Sequence, residues 1–161
     1  MKIKLSAIFL CFLIFSACKS SLEYRGADIS YFKQLEENNV QFYKNRKIES
    51  LFEILKDAGV NWIRLRLWHS PSDSTNNLEN TLSVAKCVKN LGFKFLLDIH
   101  YSDSWADPSS QTIPSEWESY DFEKLKNAVS SYTKDVLSSF SNAGCVPDMV
   151  QTGNEISNGM L

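Results

Sequence analysis

The sequence predicts an α/β fold built on a parallel sheet, and three observations lead there. Short apolar runs alternate with longer amphipathic stretches from Tyr24 onward, the pattern of successive βα units. A phrase of helix end, glycine and strand start recurs as Asp57-Ala58-Gly59-Val60-Asn61, Asn90-Leu91-Gly92-Phe93-Lys94 and Asn142-Ala143-Gly144-Cys145-Val146. Four such units follow one another with no sign of a sheet reversal, which fits half a (β/α)8 barrel better than a finished doubly wound sheet. The chain has 161 residues, whereas a whole barrel takes about 250. The expected domain is therefore residues 24–161 as the N-terminal half of a TIM (β/α)8 barrel, truncated after its fourth strand and preceded by a signal segment.

The elements are expected in this order. Tyr24 to Ser30 forms a first strand, followed by a polar connection and a helix around Ile48 to Ala58. Gly59 ends that helix as a glycine at the C-terminal cap does, and Val60 to Trp68 makes the second strand. A loop rich in Ser, Asn and Pro (Ser70 to Asn80) leads to a helix from about Thr81 to Leu91 and a third strand from Phe93 to Tyr101. A long loop, Ser102 to Tyr120, precedes an amphipathic helix from Asp121 to Asn142, and Val146 to Gly153 is the fourth strand.

Before the barrel comes a segment excluded from fold reasoning. Lys2 and Lys4 give a positive start, and Leu5 to Ala17 is almost wholly apolar. That run is well short of the ~20 residues a membrane-crossing helix needs. It ends Phe15-Ser16-Ala17-Cys18, which resembles a bacterial lipoprotein signal spanning residues 1–18, with Cys18 as the lipidated residue and 19–23 as a short linker. The chain is then exported and held at the cell surface or in the periplasm by the anchor on Cys18. Ordinary secretion with cleavage nearby is the alternative.

Composition excludes several partners. With a formal net charge of −2 and Lys and Arg scattered along the chain, nothing calls for nucleic acid. Aromatics at 12%, with four Trp, suit a sugar-binding cleft and an aromatic core equally. Cys87 and Cys145 remain beyond the signal; one disulfide is open to them, but two unpaired thiols is the favoured reading. No Cys/His spacing suggests a zinc site, and no metal or cofactor is expected.

Chemistry is expected where a barrel places it, at the C-terminal ends of the strands. The second strand reads Ile63-Arg64-Leu65-Arg66-Leu67-Trp68, and alternation puts Arg64, Arg66 and Trp68 on one face. Two arginines there are costly unless paired; an exposed edge strand would tolerate them, and a barrel mouth would use them to keep carboxylates ionised. Asp98 and His100 share a face of the third strand, and the loop Ser102-Asp103-Ser104-Trp105-Ala106-Asp107-Pro108 follows at once. Trp105 could stack on a sugar ring or anchor the loop. Trp117 and Tyr120 are expected to pack the loop, His69 to lie in solvent, and Glu116 and Glu118 to be solvated. The fourth strand runs into Gly153-Asn154-Glu155, a carboxylic acid beside an amide.

Taken together these segments resemble glycoside hydrolase family 53, the endo-β-1,4-galactanases of the large clan of retaining (β/α) barrel glycosidases. The matching stretches are Tyr24-Arg25-Gly26-Ala27-Asp28-Ile29-Ser30, Gly59-Val60-Asn61 through Trp68, Leu97-Asp98-Ile99-His100-Tyr101-Ser102-Asp103-Ser104-Trp105-Ala106-Asp107-Pro108, and Pro147-Asp148-Met149-Val150-Gln151 through Ile156, with Asn158-Gly159. The resemblance implies that Glu155 is the general acid/base, that Asn154 meets the 2-hydroxyl of the sugar being cleaved, and that Arg64 supports the nucleophile. Arg66, Asp28, His100, Asp103 and Trp105 are implied as substrate-binding or supporting positions. The nucleophile it implies is a Glu after the seventh strand, beyond the four strands read here, so the isolated chain is expected to be inactive. The implied substrate is β-1,4-galactan, the side chains of plant pectin, cut internally with retention. The rival readings are another clan member, such as a β-mannanase or β-glucanase, and a surface glycan-binding lipoprotein without catalysis.

Overall fold

The computed structural model describes residues 23–161; the lipoprotein-type signal and Cys18 lie outside the described residues. The element order is β1 (Gly26–Asp28), α1 (Phe32–Glu37), β2 (Tyr43–Lys44), β3 (Lys47–Ile48), α2 (Leu51–Asp57), β4 (Trp62–Leu67), α3 (Leu78–Asn90), β5 (Lys94–Ile99), a single 3-10 turn (Ser115–Trp117), α4 (Phe122–Asn142) and β6 (Met149–Thr152). The sheet order is β1-β4-β5-β6, with every pairing parallel. This is the α/β architecture expected, with sequential strands as neighbours and helices between them.

The alternation of side chains divides the sheet into two unlike faces. Ile63, Leu65 and Leu67 of β4 and Phe95, Leu97 and Ile99 of β5 are at most 2% exposed. They form one core with Phe52 of α2, Val84, Ala85 and Val88 of α3, and Val136 and Phe140 of α4. Each of these Val, Leu, Ile and Phe side chains contributes roughly 1.5–3 kcal/mol relative to an exposed position. The residues between them face the other way: Trp62, Arg64 and Arg66, then Leu96 and Asp98. Low on that face Tyr24, Trp62, Leu96 and Met149 line a concave apolar pocket of about 330 Å³; higher up the charged residues gather.

The repeated glycine phrase is a repeated helix stop. After α2 the Gly59 amide donates to Lys56 O and the Val60 amide to Leu55 O; the same pair of bonds follows α3 (Gly92 to Lys89 O, Phe93 to Val88 O) and α4 (Gly144 to Ser141 O, Cys145 to Phe140 O). This Schellman arrangement needs a left-handed residue, and the three glycines have φ of 79°, 80° and 71°. At the other end, Asn77 and Asp121 cap α3 and α4 by accepting from the amides of Asn80 and Lys124. The Asn77 cap is why α3 begins at Leu78 rather than near Thr81.

Two departures lie in the stretch expected as a polar connection. It contains the six-residue helix α1 and an antiparallel hairpin in which Tyr43 pairs with Ile48 and Lys44 with Lys47. The turn residues Asn45 and Arg46 both have positive φ, 50° and 66°, as a two-residue primed turn requires. Ile48 thus belongs to the hairpin, and α2 starts at Leu51. Among the described residues Cys87 and Cys145 are both free, the first exposed on α3 and the second buried. Burial pushes the Cys145 thiol up against the opposing pull of Lys86 and Lys89.

Candidate active site

The parallel register brings charged residues from three strands to one rim. Asp28 aligns with Arg64, Arg66 with Asp98, and Asp98 with Gln151, so their side chains emerge on the same face. Arg64 is the hub. Its Nη1 lies 3.0 Å from Asp28 Oδ2, and its Nη2 lies 2.5 Å from Asp98 Oδ2 and 2.9 Å from Asn154 Oδ1. Two guanidinium groups face two carboxylates, so the buried charges balance. An unpaired arginine here would be several kcal/mol too costly.

Arg66 is 6% exposed, and its Nη2 reaches Asp28 Oδ1 at 3.4 Å. Its guanidinium lies between the rings of Tyr31 and Trp105, 4.6 Å from each centroid. Trp105 itself remains 40% exposed, which leaves aromatic surface open at the rim. Burial alone would raise the Asp28 carboxyl. Hydrogen bonds from the Ser30 hydroxyl and amide, then the charges of Arg66 and Arg64, outweigh it and hold the group below the ordinary carboxylate value.

His100 is fully enclosed, 3.0 Å from Asp98 Oδ2 through Nε2. The Ala106 amide donates to Nδ1 at 3.1 Å, so Nδ1 accepts and Nε2 carries the proton shared with Asp98. The backbone that places this amide also places the next group: Ala106 O accepts from Asn154 Nδ2 at 2.7 Å. Asn154 is 3% exposed, and its Oδ1 also accepts from Gln151 Nε2. One of its two N–H bonds is left for a ligand.

Glu155 follows directly. Gly153 turns the chain out of β6 with φ of 88°, and a Cβ there would sit 2.6 Å from the Ile156 side chain. Glu155 is exposed and has φ of 51°, a left-handed conformation that costs a non-glycine residue about 1–3 kcal/mol. Among the described residues its carboxylate makes no ion pair with either arginine. It is an uncommitted acid beside a cluster held together by ion pairs and hydrogen bonds.

Asp28, Arg64, Arg66, His100, Trp105 and Asn154 are thus brought together, and Glu155 adjoins them through Asn154. Asp103 is not part of that cluster. It accepts from the amides of Ser70 and Ser115 and from the Ser115 hydroxyl, and lies 3.4 Å from His69 Nδ1, which makes it a brace between two loops. Burial would raise its carboxyl, but these hydrogen bonds hold it below the usual range. His69 is not the solvent-exposed residue expected: its side chain is 8% exposed, with ring centroids 4.5 Å from Trp117 and 4.7 Å from Tyr132. Trp117 packs the loop, as expected, at 4% exposed. Three supporting residues escaped the sequence reading. Ser30 bonds Asp28 and accepts from the Arg66 amide, Gln151 orients Asn154, and Gln111 donates to Asn154 O. Asp28-x-Ser30 is an Asx-type pattern that could have disclosed the first.

Comparison with known proteins gives relatives in both sequence and structure. The sequence model of glycosyl hydrolase family 53 matches residues 24–161. An arabinogalactan endo-β-1,4-galactanase A of Emericella nidulans is 45% identical over 144 residues, covering 88% of this chain and 41% of that protein. An uncharacterized protein of Niallia circulans, encoded in the bgaB 5′ region, is 46% identical over 137 residues, 84% of this chain and 37% of its own length. Among solved structures, a fungal β-1,4-galactanase superposes with a TM-score of 0.84 at 39% identity, over 88% of this chain and 42% of that one. The family 53 catalytic domain of Ignisphaera aggregans superposes with a TM-score of 0.80 at 40% identity, over 85% and 41%. The chain therefore spans about two fifths of the length of the relatives it matches.

Proposed function

The chain belongs to glycosyl hydrolase family 53, and from that premise we propose that it carries the acid/base side of a retaining endo-β-1,4-galactanase. The observation that carries the reading is the uncommitted, strained Glu155 set beside a charge-balanced rim of Asp28, Asp98, Arg64 and Arg66, with Asn154 between them. Retaining hydrolysis needs two carboxyl groups about 5–5.5 Å apart, one to protonate the leaving oxygen and one to attack the anomeric carbon. Glu155 takes the first part, giving its proton to the glycosidic oxygen and later removing one from water. Asn154 offers its remaining N–H to the 2-hydroxyl, and the open surface of Trp105 meets a sugar ring. His100 and Asp98 hold Arg64 and the Trp105 loop in place. Asp28 and Asp98 are occupied by the arginines, so the nucleophile is assigned to the part of the relatives' barrel beyond the matched stretch.

The substrate is the galactan of plant pectin, which a protein outside the cell would meet. Export rests on the basic and apolar start of the sequence, and anchoring on a lipid joined to Cys18. Replacing Cys18 by Ala should move the protein from the membrane fraction to the soluble one; unchanged partition would refute the anchor. The catalytic reading is tested by Glu155→Gln in the protein that carries this chain together with its second carboxylate. Galactan hydrolysis should fall by roughly 10²–10⁴-fold, as loss of a general acid/base does, with galactan binding retained. Turnover equal to the parent's would end the assignment, and a parent that binds galactan without cleaving it would favour a purely glycan-binding role.

A further inference from the structure

We infer that Gln111 is a positioning residue for Glu155, acting through the peptide bond that joins Glu155 to Asn154. The inference rests on the acid/base reading of Glu155. Gln111 lies in the long loop after β5, and its single amide nitrogen donates to two carbonyl oxygens, Asn154 O at 2.8 Å and Asp107 O at 3.1 Å. Asn154 O belongs to the same planar peptide unit as the Glu155 amide, so holding that oxygen fixes the orientation of the plane. The plane in turn sets φ of Glu155, the strained 51°. Among the described residues, Gln111 supplies the hydrogen bond that this carbonyl receives.

The other end of the link is stiff. Asp107 and Ser110 exchange two backbone hydrogen bonds, of 3.1 and 2.9 Å, and the Asp107 carboxylate accepts from the amide and hydroxyl of Ser109. Gln111 therefore leans on a braced turn rather than on a free loop. Two further ties run in parallel: Asn154 Nδ2 to Ala106 O at 2.7 Å and Asn158 Nδ2 to Pro108 O at 3.4 Å. These fix the side chain of Asn154 and the residues after Glu155. Among the described residues, only the Gln111 bond reaches the peptide between Asn154 and Glu155. A left-handed non-glycine residue persists where its surroundings over-determine it, and this amide is the part of the surroundings that reaches the acid's own peptide.

The chemistry makes a sharp test. A displaced general acid slows departure of a sugar, whose oxygen must be protonated, but not of a dinitrophenolate, which leaves as a stable anion. In the active enzyme, Gln111→Ala and the near-isosteric Gln111→Glu, which replaces the amide donor by an acceptor, should lower kcat/KM on galactan by roughly 10- to 100-fold, the scale of a small misplacement. On a dinitrophenyl galactobioside, kcat/KM should stay within about twofold. An unchanged galactan rate, or an equal fall on both substrates, would overturn the inference, since a general loosening of the site spares neither. A structure of the Gln111→Ala protein gives a readout independent of activity: the Asn154–Glu155 peptide should be rotated and Glu155 should leave its left-handed conformation. An unaltered peptide there would also overturn it. A parent enzyme with no action on galactan would instead strike the functional reading, and that structure would still decide the role of Gln111.

Discussion

The two ends of the same parallel sheet both carry clusters of carboxylates and cations, and they are built to different standards. At the start of the strands Asp148 is fully used: Oδ2 accepts from Lys89 Nζ and the Phe95 amide, and Oδ1 from Lys94 Nζ, so that α3, β5 and the approach to β6 are stapled together. At the far end the supply is uneven. Among the described residues, Arg66 Nε and Nη1 and Asp98 Oδ1 are buried without a partner, and Glu155 sits in strained backbone. A cluster that only stabilises can be satisfied completely; one that handles a ligand keeps unspent hydrogen-bonding capacity and pays for it in strain. The contrast repeats, inside one molecule, the general division of a barrel into a stabilising bottom and a reactive top.

The comparison can be broken first at Asp98. Asp98→Ala removes the partner of Arg64 Nη2 and His100 Nε2 at a site with no solvent access. Loss of one member of a buried pair costs about 3–5 kcal/mol, and the low end applies because Arg64 keeps Asp28. Urea unfolding should show this, and a loss below about 1 kcal/mol would mean the upper cluster is not the buried network described.

A smaller effect is expected at the lower end. Burial would raise the Asp148 carboxyl, but hydrogen bonds from Lys89, the Phe95 amide and Lys94 outweigh it and bring the value from 3.8 to about 2. A group whose value is depressed on folding stabilises the protein above its unfolded value, and that contribution fades as pH falls through the folded one. At 1.36 kcal/mol per unit the ceiling is about 2 kcal/mol. Lys94 is 59% exposed, so solvent screening reduces the figure to about 1 kcal/mol. Asp148→Asn should cost that much at pH 7, and the gap to the parent should close between about pH 4 and pH 2. A gap independent of pH would show that the staple works through shape rather than charge.

Much of this was legible in the sequence, for identifiable reasons. Period-two alternation placed Arg64 with Arg66 and Asp98 with His100, because a strand leaves its side chains no other choice. The Schellman glycines announced three helix ends. Helix α1 stayed hidden because it has no side-chain cap and no acid in its first turn, and the hairpin because its turn residues, Asn45 and Arg46, include no glycine. The misjudged His69 shows the opposite limit. Its enclosure is made by Trp117 and Tyr132, which come from elements far along the chain, and no local pattern reports that. Gln111 has the same character: nothing in its neighbourhood says that it will reach the end of another strand.

The unequal placement of Cys87 and Cys145 gives the molecule a chemical clock of its own. Only a thiolate attacks an alkylating reagent, and only where the reagent can reach it. The open thiol on α3 is available to such a reagent from the start, whereas the buried one, with its ionisation pushed up, waits until α4 parts from the sheet. The ratio of the two labels therefore records how often this half of the barrel opens, with no cysteine engineered in.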